Sequence, residues 1–486
     1  MYRRIGLALI LLAGLLFGAW RLVAWRRWHP PASARLVLVA SPNPDHSGLS
    51  LGEIRVLEVL LDDALETYGD CSVLRVPSLP TPTEWGPGPD GYILRLLPER
   101  QGSNLALHFQ LGKASDCRVG KMLETRRAPA LPPAQALEWL RSQLPSRPDS
   151  DEGRIFPANT AHFWELLAAY SESRTAEFGT QGLNRLTAGA LKDPRCASWH
   201  AAIGFAHFTS AQNGPIPEGV LDPTLREALV RAPGHPRVVS ARVSYLVDRG
   251  ALRQAMDELK EARSLCPRSA RLLTSLENIA RYSGALSLAQ AADAESNRRA
   301  LGSRKSGLVR FSMLYAGDIE GFAQSLRPGI DPRFSASLSL HRGYLAAARG
   351  KVSEALEQLR IAETSAQIAE PERRLASAYR KALDGDPPGA RAELDGLAQT
   401  RSRFTMPDGE FLFRLAEGYA LLGDSARSLE LANQAFLHGF GCTRWFENSP
   451  YLTPVRKGPR WVALQQHLLE RQVLLEKQLV PSAWGL

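Results

Sequence analysis

Between Arg4 and Arg21 the chain runs from Ile5 to Trp20 without a polar side chain, and the apolar run resumes after Arg21 as Leu22, Val23, Ala24 and Trp25. The 21 residues Ile5–Trp25 are long enough for a hydrocarbon core of ~30 Å, provided that Arg21 reaches toward the headgroups. Trp20, Trp25 and Trp28 then fall at the interface. A cleaved leader requires a small-residue site soon after the apolar run, but Ala32-Ser33-Ala34 lies beyond two arginines and a tryptophan. A buried core helix does not account for arginines at both ends. The pattern therefore predicts a four-residue tail (1–4) and one membrane-spanning helix (5–25).

Past this segment the periodicity shortens. Arg35–Ala40 (RLVLVA) and Val73–Val76 read as strands, and Leu51–Tyr68 carries Ile54, Leu57, Leu61 and Leu65 at helical spacing. Tyr92–Leu97 and Leu105–Leu111 form a hairpin pattern around Gln101–Asn104, followed by a strand near Lys121–Thr125 and a helix from Pro133 to Leu144. These elements predict a small β-α-β-β-β-α unit over 35–145. On its first helix Asp62 and Asp63 lie off the apolar stripe and are expected in solvent. The polar, proline-containing stretch 146–157 reads as a linker.

From residue 158 to 440 the apolar spacing is helical and repeats. Gly250, Gly284, Gly317, Gly350, Gly385 and Gly423 each separate two helical patterns, at intervals of 34, 33, 33, 35 and 38 residues. The clearest copy is Pro236–Pro267, with Gly250 at the turn, then Ala255, Leu259 and Ala262. Ser337–Glu363 and Glu410–Gly439 repeat it, and weaker copies lie at Phe163–Pro194 and Ala202–Pro233, giving about eight units. Residues 441–486 read as a capping segment. The fold class is mainly α: a helical solenoid preceded by a small α/β domain and one transmembrane helix.

These residues resemble the tetratricopeptide repeat family over about two thirds of the chain. Small Ala and Gly residues let paired helices approach, larger Leu and Tyr fill the space between pairs, and Pro closes the second helix. The order of parts is also similar to the extracytoplasmic portion of bacterial membrane-integrated winged-helix regulators of the acid-responsive type, and of serine/threonine kinases. The matching pieces include RLVLVA, SVLRV, the hairpin and the tail Tyr451–Trp461. Only four residues precede the apolar segment, so an effector head has no place there. Arginines flank the membrane segment almost evenly, with a slight lean toward a cytoplasmic body. The resemblance instead implies an inner-membrane protein with its bulk in the periplasm.

In that compartment Cys71 and Cys117, 46 positions apart, would close a loop worth ~3–4 kcal/mol if paired. As two small apolar residues they need no partner, and both readings stay open.

The chain has 59 Lys and Arg against 50 Asp and Glu, a net charge of +9, which first suggests nucleic acid. Six of those excess charges are arginines within the first 35 residues, leaving 53 basic against 50 acidic groups elsewhere. The basicity belongs to the membrane segment, and no nucleic-acid partner is implied. A content of 44% hydrophobic and 22% charged residues excludes a disordered or polytopic protein, and five cysteines exclude a disulfide scaffold.

Motifs for catalysis, phosphate loops, dinucleotides or zinc are missing from the sequence, so no cofactor, metal or enzymatic activity is expected. His200 and His207 share a helix face but lack further ligands, which favours a structural role. In the repeat family the first helix of each pair lines a concave trough that takes a protein or peptide. The glycine register places Arg237, Ser244, Asp248, Arg271, Asn278, Arg281, Tyr344, Arg414 and Glu417 there. The expected function is a membrane-anchored interaction protein, a scaffold or sensory partner. A transducer whose α/β domain binds a small ligand comes second, and an enzyme without a recognisable motif third.

Overall fold

The computed structural model describes residues 36–40, 49–68, 72–76, 92–101, 104–113, scattered short stretches from 117 to 142, 157, 160–174, 179–217, 219–299, 307–326 and 335–486. The apolar segment 5–25, nearly all of the linker 146–157, Cys71 and the side chain of Cys117 lie outside them. No described helix is long and apolar enough to cross a membrane.

The first unit contains β1 (Leu36–Ala40), α1 (Leu51–Tyr68), β2 (Ser72–Val76), β3 (Tyr92–Gln101), β4 (Asn104–Lys113), β5 (Cys117–Arg118), β6 (Lys121–Met122) and β7 (Arg126–Arg127). Its five-stranded sheet has the order β2-β1-β3-β4-β7, with β1 parallel to β2 and β3, and β3-β4 an antiparallel hairpin. Along the hairpin, Leu94, Leu96, Leu107 and Phe109 are buried while their neighbours are more exposed, the period of two that a half-covered sheet imposes.

Helix α1 is buried on more than its apolar stripe. Ile54, Leu57, Leu61 and Leu65 are inside as expected, and so are Val56, Val59 and Leu60. The expectation for Asp62 and Asp63 is corrected here: they are 0% and 5% exposed. The helix is covered on a second side by the repeat array, which the periodicity of one isolated helix cannot show.

Eight helical hairpins follow: α2/α3 (Thr160–Ser173, Gly179–Lys192), α4/α5 (Ala197–Asn213, Leu221–Arg231), α6/α7 (Pro236–Asp248, Leu252–Leu265) and α8/α9 (Ala270–Ser283, Leu286–Arg299), then α10/α11 (Gly307–Tyr315, Ile319–Ser325), α12/α13 (Ser335–Ala348, Val352–Thr364), α14/α15 (Glu370–Leu383, Pro387–Arg401) and α16/α17 (Gly409–Leu421, Ser425–Leu437). The end is α18 (Thr443–Asn448), two short 3-10 turns, α19 (Pro459–Glu476) and a last 3-10 turn, Pro481–Trp484.

The turns explain the period. The six repeating glycines all have positive φ, between 70° and 81°, where a side chain is strained. At Gly317-Asp318, Gly385-Asp386 and Gly423-Asp424 the glycine ends one helix, and the aspartate side chain caps the next by accepting from the backbone of Gly321, Gly389 and Arg427. Within hairpins, glycines on the first helix make room for leucines on the second. A Cβ at Gly343 would meet Leu359 at 2.6 Å, and between neighbouring hairpins a Cβ at Gly418 on α16 would meet Leu394 on α15 at 2.9 Å.

The α/β unit and the first repeats share one core, in which Leu57, Leu61, Leu94 and Phe109 join Phe163, Leu166, Tyr170 and Trp199. The array also returns upon itself. The backbone N–H of Gly441 donates to the Tyr282 carbonyl at 2.8 Å, and that of Met406 donates to the Ala211 carbonyl at 3.2 Å. Gly439 sits so close to Val247 that a Cβ would lie 1.9 Å from its carbonyl oxygen. The last hairpin therefore packs against the third and fourth, and the inner face is largely enclosed.

Candidate functional site

The inner face is built from the first helices of the hairpins, and most of its charge is spent within the chain. At its entrance α1 supplies the acids. Nε of Arg237 donates to both carboxylate oxygens of Asp63 at 2.9 and 2.8 Å, above the ring of Phe205. Arg271 donates to Asp62 at 2.9 Å and stands 3.5 Å from Glu66, which also accepts from the Ser269 hydroxyl. Burial works to raise the Asp63 carboxyl, but Arg237, His235 and Arg271 outweigh it and hold the group below its ordinary range. Burial lowers His235 against the opposing pull of Asp63.

Deeper in, Arg281 is ion-paired with Glu410, donates to Asn278 at 2.9 Å and lies over the Tyr282 ring. Glu410 also accepts from the Tyr315 hydroxyl. Asp248 accepts from the backbone N–H of Asp408 at 2.8 Å and pairs with His438. Burial raises the Asp248 carboxyl, and the bond to Asp248 raises His438. Tyr344 donates to Glu417, which also accepts from Ser449 at 2.6 Å. Burial pushes the Glu417 carboxyl up to about 7 against the pull of Arg414.

Asp408 joins these groups. It has φ 67°, the only non-glycine positive φ among the described residues, and its carboxylate accepts from the Tyr282 hydroxyl and from two backbone N–H groups opening α16. It borders two cavities. One of about 140 Å³ is lined by Ser244, Asp248, Asn278 and Arg401. The other, of about 200 Å³, is lined by Phe311, Tyr344, Glu372, Phe411 and Arg414. Neither admits an extended peptide. A larger groove of about 460 Å³ opens elsewhere, between α5, α6 and α7.

Of the nine positions expected on the trough, the structure brings Ser244, Asp248 and Asn278 to the first cavity and Tyr344 and Arg414 to the second. Arg237, Arg271 and Arg281 are engaged in internal ion pairs, and Glu417 is a fully buried acceptor. Sequence reasoning missed Asp62, Asp63 and Glu66 as their partners, together with Phe311, Glu372 and Asp408. Only Asp408 carried a local signal, as an aspartate opening a helix before glycine. His200 lies 3.2 Å from the Pro194 carbonyl, and no group of three or more His, Cys, Asp or Glu is placed to hold a metal among the described residues.

No protein-family model and no curated protein matches the chain. A solved structure, the TPR domain of P58(IPK), is similar at 12% identity over 65% of this chain and 98% of that chain, with a TM-score of 0.18. By its own geometry, eight stacked hairpins of which the last six turn at glycines 33 to 38 residues apart, the chain has a tetratricopeptide-like fold.

Proposed function

We propose that this is a membrane-tethered interaction protein of a bacterial envelope, working as a scaffold or sensory partner. Residues 5–25 hold it in the inner membrane and its bulk lies in the periplasm. One observation carries the reading. The last helix, α19, buries Trp461, Leu464, Leu468 and Leu475 but leaves Val462, Leu469, Val473 and Leu474 exposed at 61%, 42%, 68% and 75%. An apolar row left in water supports contact with another protein, and spacings of seven and four residues suit an amphipathic partner helix. Most inner-face charges are already paired, so partner binding is assigned to this outer row. Among the trough positions, the Ser244 and Arg414 side chains are those without a hydrogen bond or ion pair among the described residues.

A photo-crosslinking residue at Val473 is expected to capture a specific protein, and Leu469→Lys to abolish that capture with melting unchanged. Capture from position 278 but none from 473 would overturn the assignment. Alkaline phosphatase fused after Leu486 is expected to be active; an expressed but inactive fusion would place the body in the cytoplasm.

A further inference from the structure

Two opposite charges on the inner face differ from the others there. Arg414 on α16 forms no side-chain hydrogen bond and no ion pair among the described residues. Its guanidinium lies between the rings of Phe311 and Tyr344, 4.7 Å from each centroid. Glu372, in the first turn of α14, has a buried carboxylate oxygen, Oε2, with no hydrogen-bond partner. Both side chains line the cavity of about 200 Å³.

The other polar groups of that wall are occupied. Tyr344 donates to Glu417, Tyr379 to the Arg414 carbonyl, and His341 packs edge-on to Phe311. Asp408 is held by Tyr282 and the cap of α16, and Glu410 by Arg281 and Tyr315. The remaining wall is apolar, including Leu340, Leu359, Leu375 and Phe411.

Both side chains are partly buried, and Glu410 and Glu417 already attract the Arg414 charge, but its guanidinium N–H groups and the Glu372 Oε2 still have hydrogen-bonding capacity to spare and face the same small space. The guanidinium fork matches a carboxylate, and the Glu372 carboxylate matches an ammonium. The space is smaller than the ~300–1,000 Å³ of pockets for drug-sized ligands. A peptide C-terminus brings only the negative charge and a peptide N-terminus only the positive one. A single amino acid brings both. We propose that this cavity binds a free apolar amino acid as its zwitterion, with the carboxylate on Arg414, the ammonium toward Glu372 and the side chain against the leucines and Phe411. This assignment does not depend on the partner row of α19.

Titration calorimetry of the full chain in detergent micelles tests it, using L-alanine, L-valine, L-leucine, L-isoleucine, L-methionine and L-phenylalanine. At least one is expected to bind saturably with one site per chain. Its amide, lacking the carboxylate, and its N-acetyl form, lacking the ammonium, are expected to bind at least tenfold more weakly. Glu372→Gln is expected to lose at least tenfold for the free amino acid while leaving the N-acetyl form unchanged. Arg414→Gln is expected to remove the preference for the free acid over its amide. Absence of binding by all six, equal binding of the blocked forms, or undiminished binding by a folded Glu372→Gln protein would each overturn the proposal. Loss of crosslinking at Val473 bears on the partner row alone, so the two ideas fail separately.

Discussion

Arg237 and Asp63, 174 residues apart in the chain, are joined by a guanidinium N–H shared between both carboxylate oxygens, with both side chains nearly excluded from water. The bond ties the helix of the α/β unit to the third hairpin, and it turns a cation expected to await a partner into part of the protein's interior.

Asp63→Ala leaves Arg237 buried without its main acceptor, and we expect it to destabilise the protein by about 3–5 kcal/mol. The double variant Asp63→Leu/Arg237→Met is expected to recover much of that loss, because it removes both charges. Denaturant midpoints of the two variants check this. Because the folded carboxyl titrates below its ordinary 3.8, its contribution is present above that pH and lost as pH falls further.

Glu417 has the opposite sign. Its folded carboxyl titrates near 7 against an ordinary 4.5, so below about pH 4.5 both states hold the proton and nothing is lost. Between 4.5 and 7 the unfolded chain ionises first, and stability falls by roughly 3 kcal/mol at 1.36 kcal/mol per unit. Glu417→Gln is expected to flatten that part of the stability profile, read by thermal melts from pH 4.5 to 7.5. An unchanged slope would refute the role.

Two glycines predict two different penalties. Gly343→Ala drives a Cβ against Leu359, an overpacking expected to cost 1–3 kcal/mol. Gly350 has φ 70° and open space around its Cβ direction, so Gly350→Ala is expected to cost only about 1 kcal/mol, from backbone strain. Gly350→Asn should recover part of the latter. Chemical denaturation of the three variants ranks them.

Cys196, Cys266 and Cys442 are buried, and burial pushes the Cys442 thiol up to about 12. All three are expected to resist maleimide in the folded protein and react on unfolding. Under denaturant without reductant, three thiols titrate if Cys71 and Cys117 are paired and five if they are not.

The hairpin array was legible because its signals are local. Gly250 to Gly423 mark turns whose backbone suits glycine, and Ala255, Leu259 and Ala262 mark a face whose burial follows from helical period alone. The strands of the α/β unit were legible for the same reason: Tyr92–Leu97 and Leu105–Leu111 extend to Tyr92–Gln101 and Asn104–Lys113 in the folded chain. Arg414 was placed on the inner face by the same register.

What the inner face does with its charges was decided elsewhere. Asp62 reads as a solvated acid because it lies off the apolar stripe of its helix; its partner is Arg271, brought 209 positions back by the coiling of the array. Glu372 and Arg414 share a cavity because two hairpins stack at a particular angle. The sequence by itself determined the helical hairpins of the array, the glycine turns of the last six and their approximate number, since those depend on backbone preference and the nearest helical face. Only the tertiary structure decided which cations are consumed within the molecule and which still face open space, because pairing depends on distances set by the curvature of the whole stack.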